Sequence, residues 1–306
     1  MKVLITGGAG FIGSSLADSL LGKRNYEIVL VDNLLTGKME NLPKHPSCRF
    51  IKCDVNNYND IAPIFLAFHF DYVFHYAAVV GVKRTLDNPV MVLNDLKGIQ
   101  NVLDLSKSTG VKRIFFSSSS EVYGEPVQLP QHEHTTPLNS RLPYAVVKNV
   151  GESFCRAYQQ EFDLEYTLFR FFNTYGPKQS SDFVISKFLD AALENRDITI
   201  YGDGSQTRTF CYIKDNTDAC INTMENPVFI NDVVNIGNDE TYTILELAKI
   251  LIELTGSRSE IVHLPPLPEG DMTRRQPDIS NMKKLLNRDF TSLEAGLKEI
   301  LKTRKK

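Results

Sequence analysis

The chain opens MKVLITGGAGFIGSS, with Gly7, Gly8, Gly10 and Gly13 set between two apolar runs. Val3-Leu4-Ile5 reads as a buried parallel strand, and residues 14–21 carry apolar positions at helical spacing. The glycines therefore lie at a strand-to-helix turn, where backbone N–H groups gather to meet an anion. Gly7 and Gly10 allow a tight turn and a close approach of a pyrophosphate to the helix start at Phe11 and Ile12, and Gly13 lets helix touch strand. A glycine-rich turn that only packs is the competing reading. Against it stands a second strand, residues 27–31, which ends in Asp32 about twenty residues on, where a carboxylate accepts ribose hydroxyls. A 2'-phosphate would meet a like charge there, so Asp32, followed by Asn33, favours NAD over NADP.

The alternation continues. Residues 49–53 lead into Asp54-Val55, residues 72–76 into Ala77-Ala78, and residues 113–117 end at Ser117. Apolar strands separated by helical stretches predict an α/β fold of Rossmann type, a doubly wound parallel sheet. Ligands of such sheets bind at the carboxyl ends of strands, which puts Asp54 and Val55 near the adenine and Ala77 and Ala78 near the second ribose. Past about residue 175 the pattern loosens into loops with helices at 184–193 and 244–254, a smaller C-terminal α/β lobe. The expected division is a cofactor domain over 1–175 and a substrate lobe over 176–306, with some crossing of the chain between them.

Charge and cysteine usage narrow the partners. A formal net charge of -3 gives no electrostatic footprint for nucleic acid or an anionic membrane. No stretch reaches the roughly 20 apolar residues of a membrane helix, and the opening run is too short for a signal peptide, so the cytoplasm is expected. The five cysteines form no C-x-x-C pair or metal-ligand spacing and read as reduced packing residues, with no metal site.

The richest segment is SSSSEVYGEP, followed by LPYAVVKNVGESF. Tyr144 and Lys148 are four residues apart, so on a helix they share one face. An ammonium beside a phenol stabilises the phenolate and draws Tyr144 toward the range of a general base. Ser119, at the preceding strand end, is placed to share a hydrogen bond with the same substrate hydroxyl. A surface i,i+4 pair is the bland alternative. Its company, a dinucleotide fingerprint and a serine-rich strand end, favours chemistry.

On TGGAGFIG, VDNLLTGKMENL, SSSSEVYG, YAVVK, RFFNTYGP, YGDGSQTRTFCYIKD and RRQPDISNMKKLL, the sequence resembles the extended short-chain dehydrogenase/reductase family, in particular its nucleotide-sugar epimerases, dehydratases and decarboxylases. The resemblance implies that NAD stays bound and takes hydride from C4 of a nucleotide-linked sugar, with a UDP-sugar expected. It implies that Ser117 joins Tyr144 and Lys148 at the cofactor, that Asn173 meets the sugar-diphosphate, Arg208 the phosphates, Tyr201 with Gln206 the nucleoside end, and Arg275 the sugar. Val80, Lys83, Tyr123 and Lys187 complete the implied substrate set. Asn173 as a turn residue and Lys83 as a solvated charge remain the plain alternatives. The family pairs through two helices per subunit, here residues 90–106 and 144–160, as a four-helix-bundle homodimer.

Glu121 bears on the chemistry after oxidation. A C4 ketone acidifies the C5 proton, and a carboxylate can remove or return it. The family's 4,6-dehydratases carry an aspartate immediately before this glutamate, and this chain has Ser120, which counts against dehydration. A Ser120-Glu121 pair suits epimerisation at C5 of a keto or 5,6-ene amino sugar, which is preferred. It also suits decarboxylation of a UDP-uronic acid, with Arg275 on the carboxylate. If Glu121 merely caps a turn, simple C4 epimerisation returns. A non-catalytic dinucleotide sensor is expected to have lost Tyr or Lys from Y-x-x-x-K, and both are present.

Overall fold

The computed structural model describes residues 1–23, 25–266 and 274–304, with the backbone alone for Val82 and Lys83. The opening KVLIT is β1 (Lys2–Thr6), buried on both faces as an interior parallel strand must be. It runs into α1 (Phe11–Leu21), β2 (Glu27–Asp32), β3 (Cys48–Lys52), α2 (Tyr58–Phe68) and β4 (Tyr72–His75). Next come α3 (Val82–Asp87), α4 (Pro89–Leu93), α5 (Asp95–Thr109), β5 (Arg113–Ser119), α6 (Pro143–Phe162) and β6 (Glu165–Phe171). Then follow β7 (Thr174–Tyr175), α7 (Val184–Leu193), β8 (Ile198–Tyr201), β9 (Thr207–Thr209), β10 (Cys211–Tyr212) and α8 (Ile213–Glu225). The chain finishes with β11 (Asp232–Ile236), β12 (Thr241–Thr243), α9 (Ile244–Thr255), β13 (Ile261–Leu264), α10 (Ser280–Leu286) and α11 (Leu293–Arg304).

Seven strands form one sheet in the order β11-β6-β5-β4-β1-β2-β3. The pairs from β3 across to β6 are all parallel. The chain leaves β1 toward β2 on one side and later returns to β4 on the other, so the strand order reverses there. The carboxyl ends of β1 and β4 consequently lie side by side, with Thr6 in register with His75. In an open α/β sheet that reversal marks the ligand crevice.

The chain groups into two units, each interlaced along the sequence. The first is Met1–Val122, Ser140–Phe171 and Thr217–Val234, and the second Tyr123–Asn139, Phe172–Asn216 and Asn235–Lys306. Leu4, Val31, Phe65, Val73, Ile99 and Phe116 are among the buried side chains of the first unit's core. The second unit packs its own core around Tyr175, Phe188, Leu189, Leu247, Leu251 and Leu297. Each such side chain stabilises its unit by about 1.5–3 kcal/mol when removed from water.

Two elements differ from the sequence reading. β5 runs two residues past Ser117 because each serine hydroxyl finds a partner inside the fold: Ser117 donates to the His75 carbonyl at 3.2 Å and Ser118 to Glu152 at 2.6 Å, while Ser119 accepts the Glu121 N–H at 3.2 Å. The helix expected over 90–106 is two helices, α4 and α5, joined at Asn94, whose N–H is shared between the Val90 and Val92 carbonyls. Among the described residues no helix is long and apolar enough to cross a membrane.

Candidate active site

The glycine turn is shaped by contact as much as by conformation. Gly7 lies at φ +67°, and a Cβ on Gly13 would stand 2.4 Å from the Gly7 carbonyl oxygen. The Gly10 N–H donates to that same oxygen at 3.0 Å, and Gly10 caps α1 with no side-chain bond and no acidic residue in the first turn. The helix therefore offers its first N–H groups, at Phe11, Ile12 and Gly13, to an incoming anion. The Asp32 carboxylate closes the turn from β2, accepting the Ala9 N–H at 3.0 Å and the Leu34 N–H at 2.7 Å. Burial raises the Asp32 carboxyl above its usual range, opposed by those N–H groups and that of Gly10.

A neighbouring segment to which the sequence reading gave no role of its own completes this end. A Cβ on Gly37 would lie 2.8 Å from both Asp32 oxygens, and the Lys38 N–H and Asn41 amide both donate to the Ala9 carbonyl. Asn33 is exposed and accepts the Leu35 N–H. At the end of β3, Asp54 accepts the Asn56 N–H and Val55 is buried. At the end of β4, Ala77 donates its N–H to the Thr6 hydroxyl at 3.1 Å, and half-buried Ala78 follows. Thr6 also bonds the His75 Nδ1 at 2.8 Å, tying the two strands at the reversal. Bare backbone at Gly7, Gly10 and Gly13, an uncapped helix start and a carboxylate at the next strand end together fit a dinucleotide.

The second constellation rises from β5 and α6. Pro143 begins α6, where its missing N–H costs nothing, and half-buried Tyr144 follows in the first turn. Lys148 is buried one turn on, its Nζ donating to the Ser117 hydroxyl at 3.2 Å, with the Tyr144 ring centre 5.8 Å away and that of Phe116 5.1 Å away. Burial pushes the Lys148 ammonium down to about 8, and the Asp95 carboxylate opposes the fall. His75, buried on β4, is pushed down to about 3 by burial and by the Lys148 charge, so it is neutral. Ser119 and Ser120 are buried, and Glu121 is half-buried on the short turn Ser120–Tyr123. Ser117, Ser119, Glu121, Tyr144 and Lys148 thus all belong to the first unit.

A buried ion pair that sequence reading missed holds this scaffold. Glu152, one turn beyond Lys148, takes Arg170 of β6 through Nε and Nη2, each at 2.8 Å, as well as the Ser118 hydroxyl. The only signal in the sequence was a charged residue at a buried helical position.

The second unit carries most of the predicted substrate residues. Asn173 donates to the Thr209 carbonyl at 3.2 Å, and Arg208, between Thr207 and Thr209 on β9, is buried with Nη1 on the Thr207 carbonyl. A backbone bridge between Thr207 and Arg274 brings buried Arg275 alongside the same strand. Tyr201 and Gln206 are joined by a 2.9 Å bond from the Gln206 amide to the Tyr201 carbonyl, and the Lys187 ammonium lies 5.6 Å from the Tyr201 ring centre. Tyr123 is buried, and its hydroxyl donates to Asn235 at 2.7 Å within the second unit. Val80, in the first unit, accepts Arg84 Nη1 on its carbonyl. The Lys83 side chain lies outside the described ones.

The family model described as the NAD dependent epimerase/dehydratase family matches residues 3–237. This chain belongs to that family. It is an NAD-dependent enzyme of the group. Family relatives align along almost all of the chain. UDP-glucuronic acid decarboxylase 1 of Danio rerio is 36% identical over 98% of this chain and 72% of its own length. A putative UDP-glucose 4-epimerase of Methanocaldococcus jannaschii is 33% identical over 98% of this chain and 97% of its own. The solved UDP-glucose 4-epimerase of Thermotoga maritima, with UDP-glucose, superposes with a TM-score of 0.94 at 34% identity, covering 100% of this chain and 99% of that one.

Proposed function

We propose that this enzyme oxidises a UDP-sugar at C4 and then moves a proton at C5, so that its net reaction is epimerisation at C5. The observation that carries the reading is Lys148, buried beside the Tyr144 ring and bonded to the Ser117 hydroxyl. NAD, when bound, supplies the acceptor for the C4 hydride. Gly7, Gly10, Phe11, Ile12 and Gly13 would hold its pyrophosphate, and Asp32 with Asn33 its adenosine ribose. Asp54, Val55, Ala77 and Ala78 would line the adenine and the second ribose, with Ser117, Tyr144 and Lys148 at the reacting end.

Tyr144 takes the proton of the C4 hydroxyl as a phenolate, which the Lys148 charge stabilises, and Ser119 donates a hydrogen bond to the same oxygen. With C4 a ketone, Glu121 removes the C5 proton, a solvent-derived proton added at the opposite face inverts that centre, and Tyr144 gives its proton back to the C4 oxygen as the hydride returns to C4. Asn173, Arg208 and Arg275 serve the diphosphate and sugar, Tyr201, Gln206 and Lys187 the nucleoside end; a guanidinium suits a diphosphate because it donates two parallel bonds. The Thermotoga relative's bound UDP-glucose supports a uridine nucleotide.

Decarboxylation of a UDP-uronic acid is the second reading, favoured by the activity named for the zebrafish relative and by the Ser120-Glu121 order. Proton NMR in deuterated water of the chain with NAD and UDP-glucuronate, UDP-glucose, UDP-N-acetylglucosamine or its 5,6-ene separates the two. Deuterium at C5 of a product that keeps all its carbons supports epimerisation. Loss of carbon dioxide from UDP-glucuronate selects decarboxylation, and an inverted C4 without deuterium selects simple C4 epimerisation. No turnover of any sugar contradicts all three.

The proposal includes a cytoplasmic homodimer formed through α4 with α5 and through α6. Val90 and Leu93 on α4 and Val146 on α6 leave apolar side chains exposed on two helices of the first unit that pack together.

A further inference from the structure

The segment that leaves β3 is short and tied at both ends. The Cys53 N–H donates to the Asp32 carbonyl at 3.0 Å, and the Asn57 N–H donates to the Asp54 carbonyl at 2.9 Å. Asn57 then caps α2, its side chain accepting the Asn59 N–H at 3.1 Å. Between these ties lie Asp54, Val55 and Asn56, outside the regular ladder, where polar groups removed from water need partners of their own. The Asn56 N–H has the Asp54 carboxylate at 3.0 Å. Further partners come from α5, 42 and 46 residues on in the chain.

One side of that helix supplies them. Asp95, Gly98 and Asn101 follow one another at a spacing of three, so they lie along one face of α5. The Asn101 amide donates to the Val55 carbonyl at 2.9 Å, and the Asn56 side-chain oxygen accepts the Gly98 N–H at 3.0 Å. Gly98 carries no side chain because helix and segment touch: a Cβ there would stand 2.6 Å from that Asn56 oxygen and 2.9 Å from Val55 Cγ2. Asp95 continues the same face to the loop after β4, accepting the Val79 N–H at 2.7 Å. Val55 and Gly98 are buried, and Asn56 and Asn101 half-buried.

We propose that Asn101 and Gly98 are positioning residues for the cofactor's adenine: through Val55 and Asn56 they set where Asp54 and Val55 stand, and with that the affinity for the adenosine half of the dinucleotide. The inference rests on the reading of Asp54 and Val55 as the adenine-side residues, and adds that α5 holds their shape for them. A segment free to move would have to be ordered when the ligand arrives, at a cost in affinity. Bonds from a helix packed in the same unit do that ordering beforehand. The close contact at Gly98 sets the distance between helix and segment, and the Asn101 bond sets the direction of the Val55 carbonyl.

The test is calorimetric binding of ADP-ribose, which carries adenosine and diphosphate but no nicotinamide, to the full chain and to Asn101→Ala, Asp54→Ala and the double variant. Asn101→Ala weakens ADP-ribose by about fivefold, the worth of one hydrogen bond, and Gly98→Ala, which pushes the Asn56 side chain away, does so by a similar factor. In the double variant the losses of Asn101→Ala and Asp54→Ala combine to less than their product, because an absent Asp54 side chain cannot be misplaced. Losses that simply multiply make Asn101 a structural residue only and overturn the proposal. Unaltered affinity in Asn101→Ala with a loss in Asp54→Ala overturns the proposal alone, and unaltered affinity in both overturns the adenine reading with it. Should the Asn101 and Gly98 variants fail to fold, hydrogen exchange in the unaltered chain decides. The Gly98 N–H exchanges several-fold more slowly once ADP-ribose is added, because the ligand binds only the held segment, and an unchanged rate overturns the proposal.

Discussion

The Glu152 carboxylate takes both ends of the Arg170 guanidinium at 2.8 Å, joining the middle of α6 to β6 in a place with almost no access to water. The Ser118 hydroxyl bonds the same carboxylate, so this pair also sets the strand end that presents Ser117 and Ser119. Glu152→Gln leaves a buried guanidinium without its counter-charge and should cost about 3 kcal/mol in urea unfolding. A loss below about 0.5 kcal/mol would show that the pair is not a support of the scaffold.

The same pair predicts the direction of acid sensitivity. Burial pushes the Glu152 carboxyl up, but Arg170, Ser118 and Arg156 outweigh it and hold it below the usual glutamate range. A carboxyl held low in the folded state binds fewer protons there than in the unfolded chain. Its stability is therefore fully present above the ordinary glutamate range and lost as pH falls through the lowered value. Urea midpoints measured at descending pH should fall more steeply in the unaltered chain than in Glu152→Gln over that window.

Gly13→Ala should separate the cofactor turn from the rest of the fold. The new Cβ would meet the Gly7 carbonyl oxygen at 2.4 Å, backbone that cannot rotate away. Opening the turn moves the N–H groups that would meet the pyrophosphate. Calorimetry should show NAD binding weakened by about tenfold or more, a loss of at least about 1.4 kcal/mol, and unchanged affinity would remove this turn as the binding site.

Glu121→Gln keeps the shape of the turn Ser120–Tyr123 and removes the base. Deuterium entry at C5 should drop by about 10²–10⁴-fold, in the usual range for a lost general base, while oxidation at C4 persists. Exchange at the unaltered rate would give the C5 proton to another group.

Much of the sheet was legible because strands buried on both faces are continuous apolar runs, and β1 to β5 fall within two residues of the ranges read from the sequence. The glycine turn with Asp32, and Tyr144 with Lys148, were legible because each depends on a short spacing. The hidden features depend on pairs far apart in the chain. Tyr123 belongs to the second unit through Asn235, 112 residues on, which no local pattern announces. Asp95 reads as an ordinary residue of a helix start, and only the fold brings the Val79 N–H to it. Gly37 was silent for the same reason, since its need for bare backbone comes from the Asp32 oxygens across the turn.

In the proposed reaction Tyr144, beside buried Lys148, draws the proton whose loss lets a sugar give up its C4 hydride. Rapid mixing of the NAD-loaded chain with the UDP-sugar that turns over, followed at the nicotinamide absorbance, tests it directly. The unaltered chain should show a transient rise, and Tyr144→Phe, still binding NAD, should slow that rise by about 10²–10⁴-fold. An equally fast rise in Tyr144→Phe would contradict the account.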